Sequence, residues 1–211
     1  EMKETLQSIL VKNGFDEKRA EESAKNFADS SLDGVYSHGY QRFPRVIDYI
    51  QKGYIDVNTV PEKISGFGAV ERWDGHLGMG NLNAKMAMDR ALALAEQSGI
   101  GLVAMSNTNH WMRGGAYGWQ AAEAGCIGIC WTNTCPNMPA WGAVDGRIGN
   151  NPFVLAVPDE NGNHVVVDTA MAQYSYGKLN VCRQNGEQLP YPGGYDKEGN
   201  LTCDPGAILE T

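Results

Sequence analysis

Two short stretches of this 211-residue chain hold most of its chemically capable side chains. Asn109-His110-Trp111-Met112-Arg113-Gly114-Gly115, followed by Tyr117-Gly118-Trp119, gathers an imidazole, two indoles, a phenol and a guanidinium among glycines. Glycines there let the backbone adopt unusual angles and approach a ligand closely. Upstream, Gly34-Val35-Tyr36-Ser37-His38-Gly39 runs into Tyr40-Gln41-Arg42-Phe43-Pro44-Arg45. A helix opening on Ser37 as N-cap would set His38 and Arg42 on one face at i,i+4 spacing. That pairing suits an oxo acid: Arg42 grips the carboxylate bidentately and His38 trades a proton with the carbonyl oxygen. Taken alone, each stretch also fits a structural role, the first as a tight turn with core aromatics, the second as a solvated or capping pair.

The elements that must carry these residues are legible from periodicity. Leu6, Ile9 and Leu10, then Ala20, Ala24, Phe27 and Ala28, recur at helical spacing with a break at Asn13-Gly14. They predict an N-terminal helical hairpin with Asp16 capping its second helix. A helix over Ser37–Lys52 follows, with Pro44 in its first turns, where a missing donor is tolerated. Val70–Trp73 reads as a strand and Asn81–Ser98 as a helix ending at Gly99. Strand Gly101–Met105, helix Ala116–Ala124 and strand Ile127–Trp131 then form one unit, predicting a parallel strand pair covered by a helix. Phe153–Val157 and His164–Asp168 are further strands around an Asp159-Glu160-Asn161-Gly162 turn, which makes the sheet mixed. Val165-Val166-Val167 lacks alternation and predicts burial on both faces. Asp168 ends that strand, placed to meet a ribose or an amide, or simply to cap a helix. After Pro190 the chain is turn-rich, with no closing helix or strand expected. Gly99-Ile100-Gly101-Leu102-Val103-Ala104 matches G-x-G-x-x-A, but it follows a helix and enters a strand, the reverse of a dinucleotide fingerprint. Gly99 is better read as a helix C-cap.

Together the two stretches resemble the malate/L-lactate dehydrogenase type 2 family, and within it most the 2,3-diketo-L-gulonate reductases. The resemblance runs through Gly34–Arg45, Trp73–Asp89, Gly99–Gly142, Arg147–Pro158 and Asp168–Pro190, in order and at compatible spacing. It implies an α/β fold: three-layer α/β/α with a mixed sheet, like L-sulfolactate dehydrogenase and unlike a Rossmann domain, plus an N-terminal helical segment. Residues 1–80 would form the substrate- and dimer-contacting region and 81–211 the cofactor-binding region, with the C-terminal part of the family fold absent. The activity implied is reduction of a 2-oxo sugar acid carbonyl by NAD(P)H, with NADH preferred over NADPH. His38 would be the proton donor, Ser37 would orient it, and Arg42 would hold the carboxylate. Asn150 and Tyr176 would join Arg42 in binding substrate. His110, Trp111, Met112, Arg113 and Gly114, with Thr134, Asp168, Thr169 and Ala170, would contact the cofactor. Two departures stand out. Asn150 replaces the family's usual threonine before Asn-Pro, and Lys178 stands where some relatives carry a charge-relay aspartate, so no Ser-His-Asp relay is expected. A malate, lactate or ureidoglycolate dehydrogenase of the same family remains an alternative, as does an inactive ligand-binding or oligomerisation fragment.

Composition bounds the partners. A formal charge of −8 argues against nucleic acid, whose phosphates need a basic footprint. A local basic pocket can still hold an anionic substrate. No apolar run approaches a membrane span, and the acidic N-terminus does not read as a signal peptide. Five cysteines without a paired Cys-x-x-Cys spacing, and four scattered histidines, predict core packing in a reducing, cytoplasmic setting and no metal site. A small-molecule substrate and homodimerisation are the partners expected.

Overall fold

The computed structural model describes residues 1–211, which divide into two compact units. The first comprises Glu1–Cys130 and Val154–Val167, the second Trp131–Phe153 and Asp168–Thr211.

In the first unit, α1 (Met2–Lys12) and α2 (Glu17–Leu32) form the expected hairpin. Asp16 caps α2, its carboxylate accepting the Arg19 N–H at 3.0 Å. Leu10, Ala20, Ala24 and Phe27 are fully buried and join Phe43, Val46, Met79 and Met112 in one core cluster. Phe27 meets Phe43 edge-on at 5.1 Å, an arrangement favoured by the ring quadrupoles. Met112 belongs to this cluster, so the Asn109–Gly115 stretch is anchored in the N-terminal core.

A three-stranded mixed sheet follows. β1 (Glu62–Phe67) pairs antiparallel with β2 (Val70–Asp74), and β2 pairs parallel with β3 (Leu102–Ser106). The crossover is α4 (Gly80–Ser98), closed by Gly99 at φ 75°. Gly99 is therefore the predicted C-cap, and the G-x-G-x-x-A match carries no phosphate loop. Glu71, only 2% exposed, ties the layers together. Its carboxylate accepts two bonds from Arg90 at 2.8 Å and others from Lys63 at 2.5 Å and Trp73 Nε1 at 3.0 Å.

A second sheet has the order β4 (Gly128–Trp131), β7 (Phe153–Val157), β8 (Val165–Thr169). Helix α5 (Gly115–Glu123) packs on one of its faces. A Cβ on Gly118 would stand 2.7 Å from Val154 Cγ1, and one on Gly128 2.7 Å from the Ala121 methyl. Glycine permits this close approach.

The second unit is made of short pieces. β5 (Pro136–Met138) pairs antiparallel with β6 (Ile148–Gly149), and β9 (Gly194–Tyr195) with β10 (Leu201–Thr202). α6 (Tyr176–Asn185) is capped by Ser175 and α7 (Pro205–Leu209) by Asp204. Leu179, Cys182 and Leu189 form their core, with Ile208 and Leu209 packed on it.

The α/β class and mixed sheet are as expected, but four local readings are corrected. The predicted Ser37–Lys52 helix is broken: Tyr36–His38 is a single 3-10 turn, and α3 begins at Phe43 and ends at Gln51. Gly39 lies so close to α2 that a Cβ there would be 2.2 Å from Ser31 Oγ. The Tyr40 N–H donates to that hydroxyl at 2.9 Å instead of continuing a helix. Starting α3 later also keeps Pro44 in the first turn. β3 and β4 are not the predicted parallel pair, since they lie in different sheets and the parallel partner of β3 is β2. Val165–Val167 is not buried on both faces: Val165 and Val167 are 63% and 47% exposed, because β8 is an edge strand with α5 on one side only. Finally, the segment after Pro190 does form regular structure, the β9–β10 ribbon and α7, as Asp204 accepts the Gly206 N–H at 2.7 Å and Pro205 supplies a helical φ.

Candidate active site

The site in the first unit is built from the 3-10 turn, the start of α3 and the loop after β3. That loop is held by amides. Asn83 of α4, 1% exposed, donates to Gly75 O at 3.1 Å and Thr108 Oγ1 at 2.9 Å. Asn109 donates to Leu77 O at 2.6 Å and Tyr54 O at 3.1 Å. Gly80, at the head of α4, packs so tightly that a Cβ would sit 2.1 Å from the His110 carbonyl oxygen. The next turn carries Met112 at φ 64°, a left-handed conformation costly for a long side chain. Burial of Met112 in the core holds it there. In that conformation its N–H donates to His110 Nδ1 at 3.0 Å.

The bond determines the state of His110. With Nδ1 accepting, the neutral ring carries its proton on Nε2. The imidazole keeps a solvent-open edge. Burial of the rest, followed by the positive charges of Arg42 and His38, pushes its pKa down to about 3. His110 is thus a neutral donor at physiological pH.

The His38 and His110 rings lie 5.7 Å apart between centroids and 31° from coplanar. Ser37 Oγ is 3.0 Å from His38 Nδ1, leaving Nε2 as the ring nitrogen that Ser37 does not engage. Arg42 is the N-cap residue of α3 and lines a cleft of about 30 Å³ with Arg45, Val46, Tyr49, Ile55, Asn109, His110 and Met112. Burial and the nearby Arg45 lower the Arg42 pKa, while the Tyr49 phenol opposes them. A guanidinium remains charged throughout this range. Ser37, His38, Arg42 and His110 are therefore neighbours. The route differs: Arg42 and His38 meet around His110 and not along one helix face.

The remaining loop residues take structural partners as well. Trp111 stacks against Tyr117 at 5.9 Å, and its carbonyl accepts the Tyr117 hydroxyl at 2.5 Å. Burial raises the Tyr117 phenol above its ordinary range. Arg113 forms an ion pair with Asp33 at the end of α2. Gly114 is the N-cap position of α5, which no side chain caps.

Four of the other predicted positions are on exposed or half-exposed backbone of the second unit: Thr134, Asp168, Thr169 and Ala170. Thr134 Oγ1 accepts the Asn151 N–H at 3.3 Å, and a Cβ on Gly149 would be 2.2 Å from that oxygen, so Gly149 allows the loop to close on Thr134. Asn150 is half-buried and its carbonyl accepts the Met171 N–H at 2.8 Å. Tyr176 opens α6 and is 49% exposed. Lys178 is in the first turn of α6, where its N–H donates to Ser175 Oγ at 3.2 Å, a capping position. Sequence reasoning did not single out Arg45 or Tyr49 as site residues. Their spacing from Arg42 along α3, i+3 and i+7, is the signal that places all three on one face.

Comparison with known proteins covers the whole chain. The family model for malate/L-lactate dehydrogenase matches residues 1–211. A 2,3-diketo-L-gulonate reductase of Escherichia coli is 50% identical over 208 residues, covering 99% of this chain and 62% of that protein. The chain thus spans about three fifths of the curated relatives it matches. Among solved structures, malate dehydrogenase from Entamoeba histolytica superposes with a TM-score of 0.94 at 30% identity, covering 99% of this chain and 58% of that one. Sulfolactate dehydrogenase from Methanocaldococcus jannaschii gives 0.89 at 33% identity, covering 99% and 60%.

Proposed function

Because this chain belongs to the malate/L-lactate dehydrogenase family, we propose that its site serves the NADH-dependent reduction of a 2-oxo sugar acid of the 2,3-diketo-L-gulonate type. The observation that carries this reading is the Ser37–His38 pair beside His110, with Arg42 in the adjoining cleft. Reduction of a ketone to an alcohol needs a hydride at carbon and a proton at oxygen. A bound nicotinamide would supply the hydride. His38 supplies the proton from Nε2, while Ser37 holds the opposite nitrogen and so fixes the ring plane. Arg42 takes the carboxylate in its planar fork and presents the neighbouring carbonyl to His38. His110, kept neutral first by burial and then by the neighbouring Arg42 and His38, does not compete for that proton and offers an N–H to the carbonyl oxygen.

The family implies a nicotinamide cofactor, and the resemblance assigns its contacts to the His110–Gly114 loop. Gly114 opens α5 without a side-chain cap, and its lack of a Cβ lets the backbone pack against the Trp111 ring. In the same loop Trp111 is half-buried, whereas the Met112 side chain belongs to the core and leaves only its backbone to the loop surface. In the second unit, Thr134, Asp168, Thr169 and Ala170 are the positions to which the family resemblance assigns further nucleotide contacts. The preference for NADH over NADPH, a cytoplasmic setting and a homodimer are part of the same reading, supported by the family resemblance. No helix is long and apolar enough to cross a membrane.

The test is loss of nicotinamide absorbance with a panel of 2-oxo acids. Oxidation of NADH dependent on 2,3-diketo-L-gulonate is expected. Reduction of pyruvate or oxaloacetate, with 2,3-diketo-L-gulonate left untouched, would refute the substrate assignment while sparing the reaction class.

A further inference from the structure

Arg42 is not the only cation in its cleft. Arg45, one turn further along α3, lines the same space, and no Asp or Glu is among the lining residues. Neither guanidinium takes part in any of the chain's ion pairs. Two like charges facing one small cleft without a counter-ion repel each other, and a bound anion relieves that repulsion. They differ in depth: Arg42 is half-buried, whereas Arg45 is exposed. The cleft is small, about 30 Å³, and partly open. The exposed lining residues, Arg45 and His110, mark the open side of the cleft, so a ligand anchored on Arg42 extends toward them. A guanidinium has five donors and no acceptor, so whatever meets Arg45 must present acceptor oxygens.

We propose that Arg45 is a specificity-determining residue that reads the carbon beyond the oxo acid group, favouring acids with an acceptor oxygen on the third carbon over those with plain alkyl there. This rests on Arg42 being the carboxylate anchor. It names the substrate class of the same site: acids oxygenated at both the second and third carbons.

Two acids titrated without cofactor, so that neither can be reduced, separate the two ideas. Acetoacetate and butyrate share charge and carbon skeleton and differ by one ketone oxygen on the third carbon. Each is titrated into the chain by NMR, following the His110 imidazole. The wild-type chain should bind acetoacetate about tenfold more tightly than butyrate, the worth of one charge-assisted hydrogen bond. Arg45→Met should reduce that ratio to about one, with acetoacetate losing more affinity than butyrate, and Arg45→Lys should restore part of it. Equal weakening of both acids in Arg45→Met, or a preference that survives the substitution, would overturn the role of Arg45 while leaving Arg42 as the anchor. If Arg42→Met leaves both affinities intact, or neither acid binds the wild-type chain, the carboxylate-anchor reading itself fails and takes this one with it.

Discussion

The main-chain N–H of Met112 donates to Nδ1 of His110 at 3.0 Å. One residue in a left-handed conformation, φ 64°, thereby decides which nitrogen of the His110 imidazole carries the proton. Backbone strain at this point has a chemical product, a ring held neutral with Nε2–H free to donate. Burial and the charges of Arg42 and His38 then oppose its protonation.

The pH dependence of stability follows. The folded pKa of His110, about 3, lies below its ordinary 6.5. Between those values the unfolded chain takes up a proton that the folded chain refuses, so His110 makes stability fall as pH drops below about 6.5. Urea denaturation at pH 7 and pH 5 should show a smaller loss in His110→Gln than in wild type. An identical loss in both would show that His110 titrates normally in the fold.

His38→Ala should slow reduction by about 10²–10⁴-fold, the range for losing a general acid, with NADH affinity preserved. Stopped-flow turnover and cofactor fluorescence report the two quantities separately. Near-normal turnover would transfer the proton-donor role to another group, with His110 the nearest ring at 5.7 Å.

Arg42→Lys keeps the charge and loses the planar fork. The catalytic efficiency should fall for carboxylate substrates and much less for analogues in which an amide replaces the acid. Kinetics on one matched pair suffice, since an equal fall for both analogues would make Arg42 a structural residue.

Gly80→Ala tests the packing behind the loop. The added methyl would overlap the main-chain oxygens of Asn109 and His110, at 2.2 and 2.1 Å, and neither atom is the free end of a side chain. A loss of about 1–3 kcal/mol is expected from such overpacking. Because the displaced backbone carries His110, turnover should fall as well. Wild-type stability and turnover would show that the α4 contact does not position the loop.

Glu71→Gln should lower the urea midpoint, because the nearly buried carboxylate accepts bonds from Arg90, Lys63 and Trp73. These partners, Arg90 first, hold the Glu71 carboxyl far below its ordinary 4.5, so its stabilisation is complete above pH 4.5 and is lost as the pH falls below it. Acid titration of the variant's midpoint should be correspondingly flatter.

Much of this protein is written locally. Asp16 and Gly99 mark helix ends because capping acts within one turn of chain, and Phe153–Val157 appears as read because a short apolar run between breakers leaves few alternatives. Ser37, His38, Arg42 and His110 were recognisable from residue type and motif order. What the sequence could not express were relations between distant residues. Gly39 breaks the helix because Ser31, from another element, occupies the space of a Cβ. The strand beside β3 is β2, across the α4 crossover, since hydrogen-bond pairing is chosen by how whole elements stack. Arg45 joins Arg42 in one cleft only once α3 has docked against the His110 loop. Local propensity chooses helix or strand, but protonation and charge fields depend on neighbours far away in the chain, and only folding brings those neighbours together.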